Sequence, residues 1–271
     1  MADNDNVKQD IVAGELRTGE PRNGVVTGKT FPLKMVKYSA VDSDAIFEGD
    51  IVLGSVEQME TAYEALKSGA DVMEALKGVG VSDVDKLWPE GVMPYVIDPA
   101  LPEPERVLEA IAHWEEKSTP IKFVKRTTEE DYVVFRPGGG CSSSVGRQGG
   151  VQYVNLGPQC KKGNVVHEIG HTVGLWHEQS REDREQHITI DYKNIATVKQ
   201  HNFNQHITDG DDIGPYDYGS IMHYSAFAFA LDASKPTIIT LNGEVIGQRD
   251  GLSDGDIAAV KALYAALNNQ P

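Results

Sequence analysis

The stretch Val165 to Arg184, VVHEIGHTVGLWHEQSREDR, constrains the chain more than any other, because it sets three histidines and a glutamate at converging spacings. Residues four apart share one face of a helix, so His167 and His171 can aim their imidazoles at one point with Glu168 flanking it. Gly174 offers the helix an end, since glycine enters the left-handed region without a Cβ clash, and the reversed chain can return His177 as a third ligand. Three neutral imidazoles suit one zinc ion at about 2.0–2.1 Å per bond, and three protein ligands leave a position for water, which marks a catalytic site. H-E-x-x-H alone leaves open a helix whose histidines are merely solvated or packed. That reading becomes poor once Gly174, His177 and the later SIMHY, Ser220 to Tyr224, are counted with it.

The 271 residues allow one large domain or two smaller ones. A net charge of −16 excludes the basic footprint of a nucleic-acid binder and mainly serves solubility. No run of 18 or more apolar residues appears, so no membrane span is expected, and the opening MADNDNVKQD lacks the regions of a signal peptide. The only cysteines, Cys141 and Cys160, bracket a Gly-rich segment before the histidine helix. Free thiols would suit a cytosolic chain and a bond an oxidising compartment, and the spacing alone leaves both open.

In chain order, residues 1 to 28 are polar and Gly-rich without a period, which predicts a mobile or extended lead-in with no chemistry of its own. In AIFEGDIVLG, the EGD of Glu48 to Asp50 reads most simply as a turn joining two strands. Ser55 to Leu76 is rich in helix formers, with Val56, Met59, Tyr63 and Leu66 at helical spacing and Gly69 as a break before a second piece, Asp71 to Leu76. The following KGVGVSDVDK, Lys77 to Lys86, reads as an exposed connection open to cleavage. Pro102 to Lys117 fits an amphipathic helix with Val107, Leu108, Ile111 and Trp114 on one side, and IKFV, YVVF and VQYVNL read as short strands. Helices are expected from Tyr192 to Phe203 and from Asp254 to Leu267, the latter capped by Ser253. His113, His187, His201 and His206 lack ligand spacing, and His223 is not expected to be a ligand.

The zinc helix with the methionine turn resembles the metzincins. HEIGHTVGLWHEQSREDR, the later YDYGSIMHY and the upstream CSSSVGRQGG together resemble the astacin metalloendopeptidases over about Leu87 to the C-terminus. The resemblance implies an α+β fold: a two-lobed catalytic domain over 87–271, with an N-terminal lobe of twisted sheet and helices, preceded by a small propeptide over 1–86. It implies a secreted or extracytoplasmic zinc endopeptidase acting on proteins or peptides. One zinc is held by His167, His171 and His177, Glu168 serves as general base, and Tyr224 stabilises the oxyanion. Met222 forms a floor beneath the ligands, Glu178 binds the new N-terminus after maturation, and Cys141 pairs with Cys160. Phe47 to Asp50 also matches the family's propeptide motif F-x-G-D, whose aspartate binds the zinc. By resemblance Asp50 therefore keeps the chain latent until an activating protease or self-cleavage cuts near 77–87. A pseudoprotease would be expected to lack Glu168, and another metzincin subfamily would carry a propeptide cysteine or Gly-rich calcium repeats, which this chain does not have.

Overall fold

The computed structural model describes residues 14–28, 31–72, 76, 86–205 and 212–268. The chain begins with an antiparallel sheet whose strands β1 (Glu20–Gly28), β2 (Phe31–Val41), β3 (Asp44–Phe47) and β4 (Ile51–Ser55) pair in sequence order. Glu20 faces Ala40 across β1 and β2, and Phe47 faces Ile51 across β3 and β4. Glu48 to Asp50 is thus the turn of a hairpin. Gly49 sits at φ +80°, where glycine is favoured, and Glu48 at φ +46°, where other residues are uncommon.

Helix α1 (Val56–Ser68) starts at a capping box: Ser55 Oγ accepts from the Gln58 N–H, and Gln58 Oε1 accepts from the Ser55 N–H. It ends at Gly69, left-handed at φ +73°. Met59 and Ala62 face the sheet and share a core with Val25, Tyr38 and Phe47. Most of the second helical piece and of the expected cleavable connection, residues 73–75 and 77–85, lie outside the described residues, as does His206. Residues 20–28 of the lead-in are extended, as strand β1, but Glu15 is buried in an ion pair, so the segment is not without interactions of its own.

After residue 86 comes a parallel sheet of β5 (Val92–Ile97), β6 (Lys122–Lys125), β7 (Tyr132–Pro137) and β8 (Val151–Leu156) in the order β6-β5-β7-β8. Helix α2 (Glu105–Glu116) packs beside α3 (Lys162–Thr172), with the Trp114 indole N–H donating to the Val166 carbonyl at 3.2 Å. Val107, Ile111 and Trp114 are buried as expected, but Leu108 is 48% exposed, because its position turns it away from that stripe.

Beyond α3 the chain is mostly irregular, held by the two-stranded pair β9 (Ile188–Ile190) and β10 (Ile238–Thr240). The expected helix from Tyr192 to Phe203 is two 3₁₀ segments, Tyr192–Asn194 and Thr197–Phe203, separated by extended Ile195 and by Ala196. The last helix, α4 (Asp254–Asn268), starts where Ser253 Oγ accepts from the Asp256 N–H. It returns to the first lobe, where the Tyr264 hydroxyl donates to the Val173 carbonyl. The α+β architecture thus has two lobes meeting at the end of α3, and the antiparallel sheet packs over that junction through Phe47, Val145 and Trp176. Among the described residues no helix is long and apolar enough to cross a membrane.

Candidate metal centre and active site

Helix α3 fixes His167, Glu168 and His171, all fully buried. The Lys161 N–H donates to Asn164 Oδ1 at 2.7 Å, which satisfies an open donor of the first turn. At the other end the Gly174 N–H donates to the His171 carbonyl, and Gly174 takes φ +113° as the chain reverses toward His177. Met222 lies under the helix: a Cβ on Gly170 would come within 2.6 Å of its sulfur, so only glycine lets the two surfaces meet there.

Each histidine is oriented through Nδ1. His167 donates to the Ile221 carbonyl at 2.8 Å, His171 to the Leu175 carbonyl at 2.9 Å, and His177 to the Glu48 carboxylate at 2.9 Å. Those donations place a lone pair on every Nε2. The three Nε2 atoms converge on Asp50, at 3.1 Å to Oδ2 from His167 and at 3.5 and 3.2 Å to Oδ1 from His171 and His177. Asp50 Oδ1 and the Nε2 atoms of His171 and His177 are buried without a hydrogen-bond partner. Four electron-pair donors within 4.8 Å of one another, with too few protons to share, fit a metal ion, and three imidazoles with one carboxylate suit zinc.

The electrostatics agree. Burial pushes the Asp50 carboxyl up, but the imidazoles around it, His177 first, hold it well below the usual carboxylate range. Burial outweighs the pull of Asp50 on His171 and carries it down to about 4, which keeps it in the neutral form that can bind a metal. Burial also works against protonation of His177, yet Asp50 and Glu48 raise it to about 9, so its surroundings demand a positive charge that a metal at Nε2 would supply. Glu168 goes the other way: burial and then the charges of Asp50 and Glu15 push it well above the usual range.

Glu168 Oε2 accepts from Ser143 Oγ at 2.7 Å. Ser143 also pairs with the hairpin backbone, its N–H donating to the Asp50 carbonyl and its own carbonyl accepting from the Val52 N–H. The start of β4 therefore lies along the Ser142–Ser144 edge. Phe47 packs edge-on against Trp176 with centroids 6.5 Å apart. The Tyr224 hydroxyl donates to the Glu48 carbonyl, and burial keeps it protonated, its pKa pushed well above that of a free phenol. His223 is not among the converging ligands; its Nε2 meets the Tyr216 hydroxyl at 2.7 Å.

Cys141 and Cys160 are bonded, which ties this edge to the start of α3. Closing a loop of this length is worth about 3 kcal/mol in the chain-entropy account, so reduction should lower stability by about that amount. Intact mass should rise by two hydrogens on reduction, and two titratable thiols in the untreated protein would contradict the bond.

Several residues of the site carry no motif. Glu48 sits between two motif positions, so only its contact with His177 identifies it. Glu15 is 1% exposed and grips Arg249, with Nη2 to Oε2 at 2.6 Å and Nε to Oε1 at 2.9 Å, while Asn164 Nδ2 donates to Oε1 at 2.6 Å. Burial pushes the Glu15 carboxyl up, but Arg249 outweighs it and holds the group below its ordinary range. With both its oxygens taken, Glu15 is not a metal ligand even though it lies close to His167 and Glu168.

The family model of Astacin, a peptidase family, matches residues 80–265. Tolloid-like protein 1 of Homo sapiens is 40% identical over 210 residues, 73% of this chain and 20% of that protein. Zinc metalloproteinase nas-15 of Caenorhabditis elegans is 38% identical over 238 residues, 82% of this chain and 41% of that protein. The chain thus spans less than half the length of these relatives. The solved structure of high choriolytic enzyme 1, a hatching enzyme zinc-protease from Oryzias latipes, is similar with a TM-score of 0.62 and 32% identity, covering 70% of this chain and 98% of that one. With the family model matching well over half its length, the chain belongs to the astacin family of zinc metalloendopeptidases.

Proposed function

We propose that this chain is the latent form of a secreted zinc endopeptidase, with residues 1–86 as its propeptide and 87–271 as its catalytic domain. The observation that carries the reading is the Asp50 carboxylate at the meeting point of three histidine Nε2 atoms, 117 residues away from the first of them. The disulfide supports an oxidising compartment.

His167, His171 and His177 hold the metal, and zinc, when bound, supplies Lewis-acid chemistry there. Once the propeptide leaves, Glu168 takes a proton from the attacking water and passes it to the leaving amine. The Tyr224 hydroxyl, released from the Glu48 carbonyl, donates to the oxygen on which charge develops. Cleavage within 77–87, by another protease or by a second molecule of this one, starts the process. Mild trypsin treatment should convert an inactive chain into one that digests a peptide library and stops when a chelator is added. A chain that stays inactive after clean removal of residues 1–86 would overturn the reading.

Glu178 is part of the same proposal, as the group that receives the new N-terminus. In the uncut chain its Oε1 accepts from the Asp217 N–H at 2.7 Å and lies 3.6 Å from Arg181 Nε. Burial pushes its pKa from 4.5 to about 8. The folded chain then keeps a proton that the unfolded chain releases, so this contribution to stability is complete below about pH 4.5 and is lost as pH rises toward about 8. The decline should shrink in Glu178→Gln and in enzyme trimmed to its mature start, where an ammonium group supplies the counter-charge. Equal slopes of melting temperature against pH in all three forms would count against the role.

A further inference from the structure

We propose that Glu15 is a second latch: a carboxylate carried by the lead-in segment that fills a preformed carboxylate site, made by Arg249 and Asn164 beside the metal ligands. This rests on the latency reading above and extends it from one point of closure to two.

The receptor is built by the catalytic side of the molecule. Arg249 is held by its own donations, Nη1 reaching the His223 carbonyl at 3.1 Å and the Gln248 carbonyl at 2.8 Å, which leaves Nε and Nη2 aimed at Glu15. Its backbone is seated against the first turn of α3, where a Cβ on Gly163 would lie 1.8 Å from the Arg249 carbonyl oxygen. Asn164 is turned by its contact with the Lys161 N–H, so that its Nδ2 has Glu15 as a carboxylate acceptor. A two-point guanidinium grip with a third donor, all buried, is a specific recognition of a carboxylate and not a surface ion pair.

The segment that delivers Glu15 is anchored on both sides. The Gly14 carbonyl accepts from the Cys141 N–H at 2.8 Å, and Arg17 Nη1 donates to Ser142 Oγ at 3.0 Å, so residues 14–17 run along the Cys141–Ser142 segment. The Arg17 N–H donates to the Gly49 carbonyl at 2.9 Å, and a Cβ on Gly49 would come within 2.6 Å of the Glu15 carbonyl oxygen. Glu15 and Asp50 therefore brace each other through Gly49, and withdrawal of one removes support from the other.

The test uses the full uncut chain with its intact mass checked throughout. Glu15→Gln keeps the shape but removes the charge, and loss of a charge-assisted hydrogen bond commonly shifts an equilibrium by about tenfold or more. Uncut Glu15→Gln should therefore cleave a short peptide about tenfold faster than uncut wild type, and its Cys141 and Arg17 amides, bonded to the Gly14 and Gly49 carbonyls, should exchange with deuterium about tenfold faster. Glu15→Asp, which keeps the charge but falls one methylene short of Arg249, should give a smaller change in both. Fully trimmed wild type and Glu15→Gln must have equal kcat/KM, since the altered residue is gone. Unchanged latency with unchanged exchange at Cys141 and Arg17 would overturn the second latch. If no form becomes active on trimming, the peptidase reading fails instead, and the exchange rates still decide the latch.

Discussion

Glu168→Gln in the trimmed enzyme is expected to keep its zinc and its melting temperature while losing peptidase activity by about 10²–10⁴-fold, the usual weight of a general acid–base group. The three Nε2 donors belong to other residues, and their Nδ1 atoms are fixed by Ile221, Leu175 and Glu48 in the uncut chain, so none depends on Glu168. Glutamine matches glutamate in size, and its amide oxygen can still accept from Ser143 Oγ where Glu168 Oε2 does now. What disappears is the capacity to take up a proton. In the uncut chain Glu168 is pushed well above the usual range by burial and by the neighbouring Asp50 and Glu15 carboxylates. On the proposed maturation, removal of those two carboxylates should lower it toward the range in which a base accepts a proton from water and gives it up again near neutrality. Zinc content by mass spectrometry, melting curves and turnover of a peptide separate the outcomes. Turnover near that of wild type would show that the proton goes elsewhere.

What could be read ahead of the structure was local. His167, Glu168 and His171 follow from the geometry of one helix turn, and His177 from a glycine reversal a few residues later, so sequence distance and spatial distance agree there. The α4 start was legible for the same reason, since Ser253 caps a donor only three residues away, whereas the Ser55 cap of α1 is seen only in the structure. Leu108 was misplaced because residues adjacent in sequence are separated by about 100° around a helix, and only the packing of α2 decides which side of the stripe is covered. The Tyr192–Phe203 stretch has helix-like composition but breaks at Ile195, which forms a bridge to Ala230, so a tertiary contact overrode local preference. Glu15 and Arg249 are 234 residues apart, and no spacing rule spans that distance. Asp50 was reached only through the resemblance of Phe47 to Asp50 to a propeptide motif, because a turn residue and a metal ligand look alike in sequence.

Replacing Asp50 by alanine in the uncut chain tests the proposed latch directly, and premature activity with faster self-processing is expected. Asp50 is buried at the convergence of His167, His171 and His177, so its carboxylate has no route to water while the hairpin stays in place. Breaking a buried charge pair costs roughly 3–5 kcal/mol, which corresponds to a shift of roughly 10²- to 10⁴-fold in the balance between closed and open site. Tethering strengthens the hold, because a ligand in the same chain acts at an effective concentration that reaches roughly millimolar. The rest of the hairpin should stay folded in the variant: Phe47 remains packed on Trp176, and Ser143 still meets the backbone of residues 50 and 52, since those bonds do not use the Asp50 side chain. The competing account makes the propeptide's bulk the sole cause of latency, in which case an intact hairpin without the carboxylate would block the cleft as well as before. Asp50→Asn separates the two, because it preserves the bulk and removes the charge. If charge and coordination matter, both variants should process themselves faster than wild type, and a crystal of the uncut wild-type chain grown with zinc should place an Asp50 oxygen at about 2.0–2.2 Å from the ion. Full latency in both variants, or a zinc ion in the uncut chain that Asp50 does not touch, would return Glu48 to Asp50 to an ordinary hairpin turn.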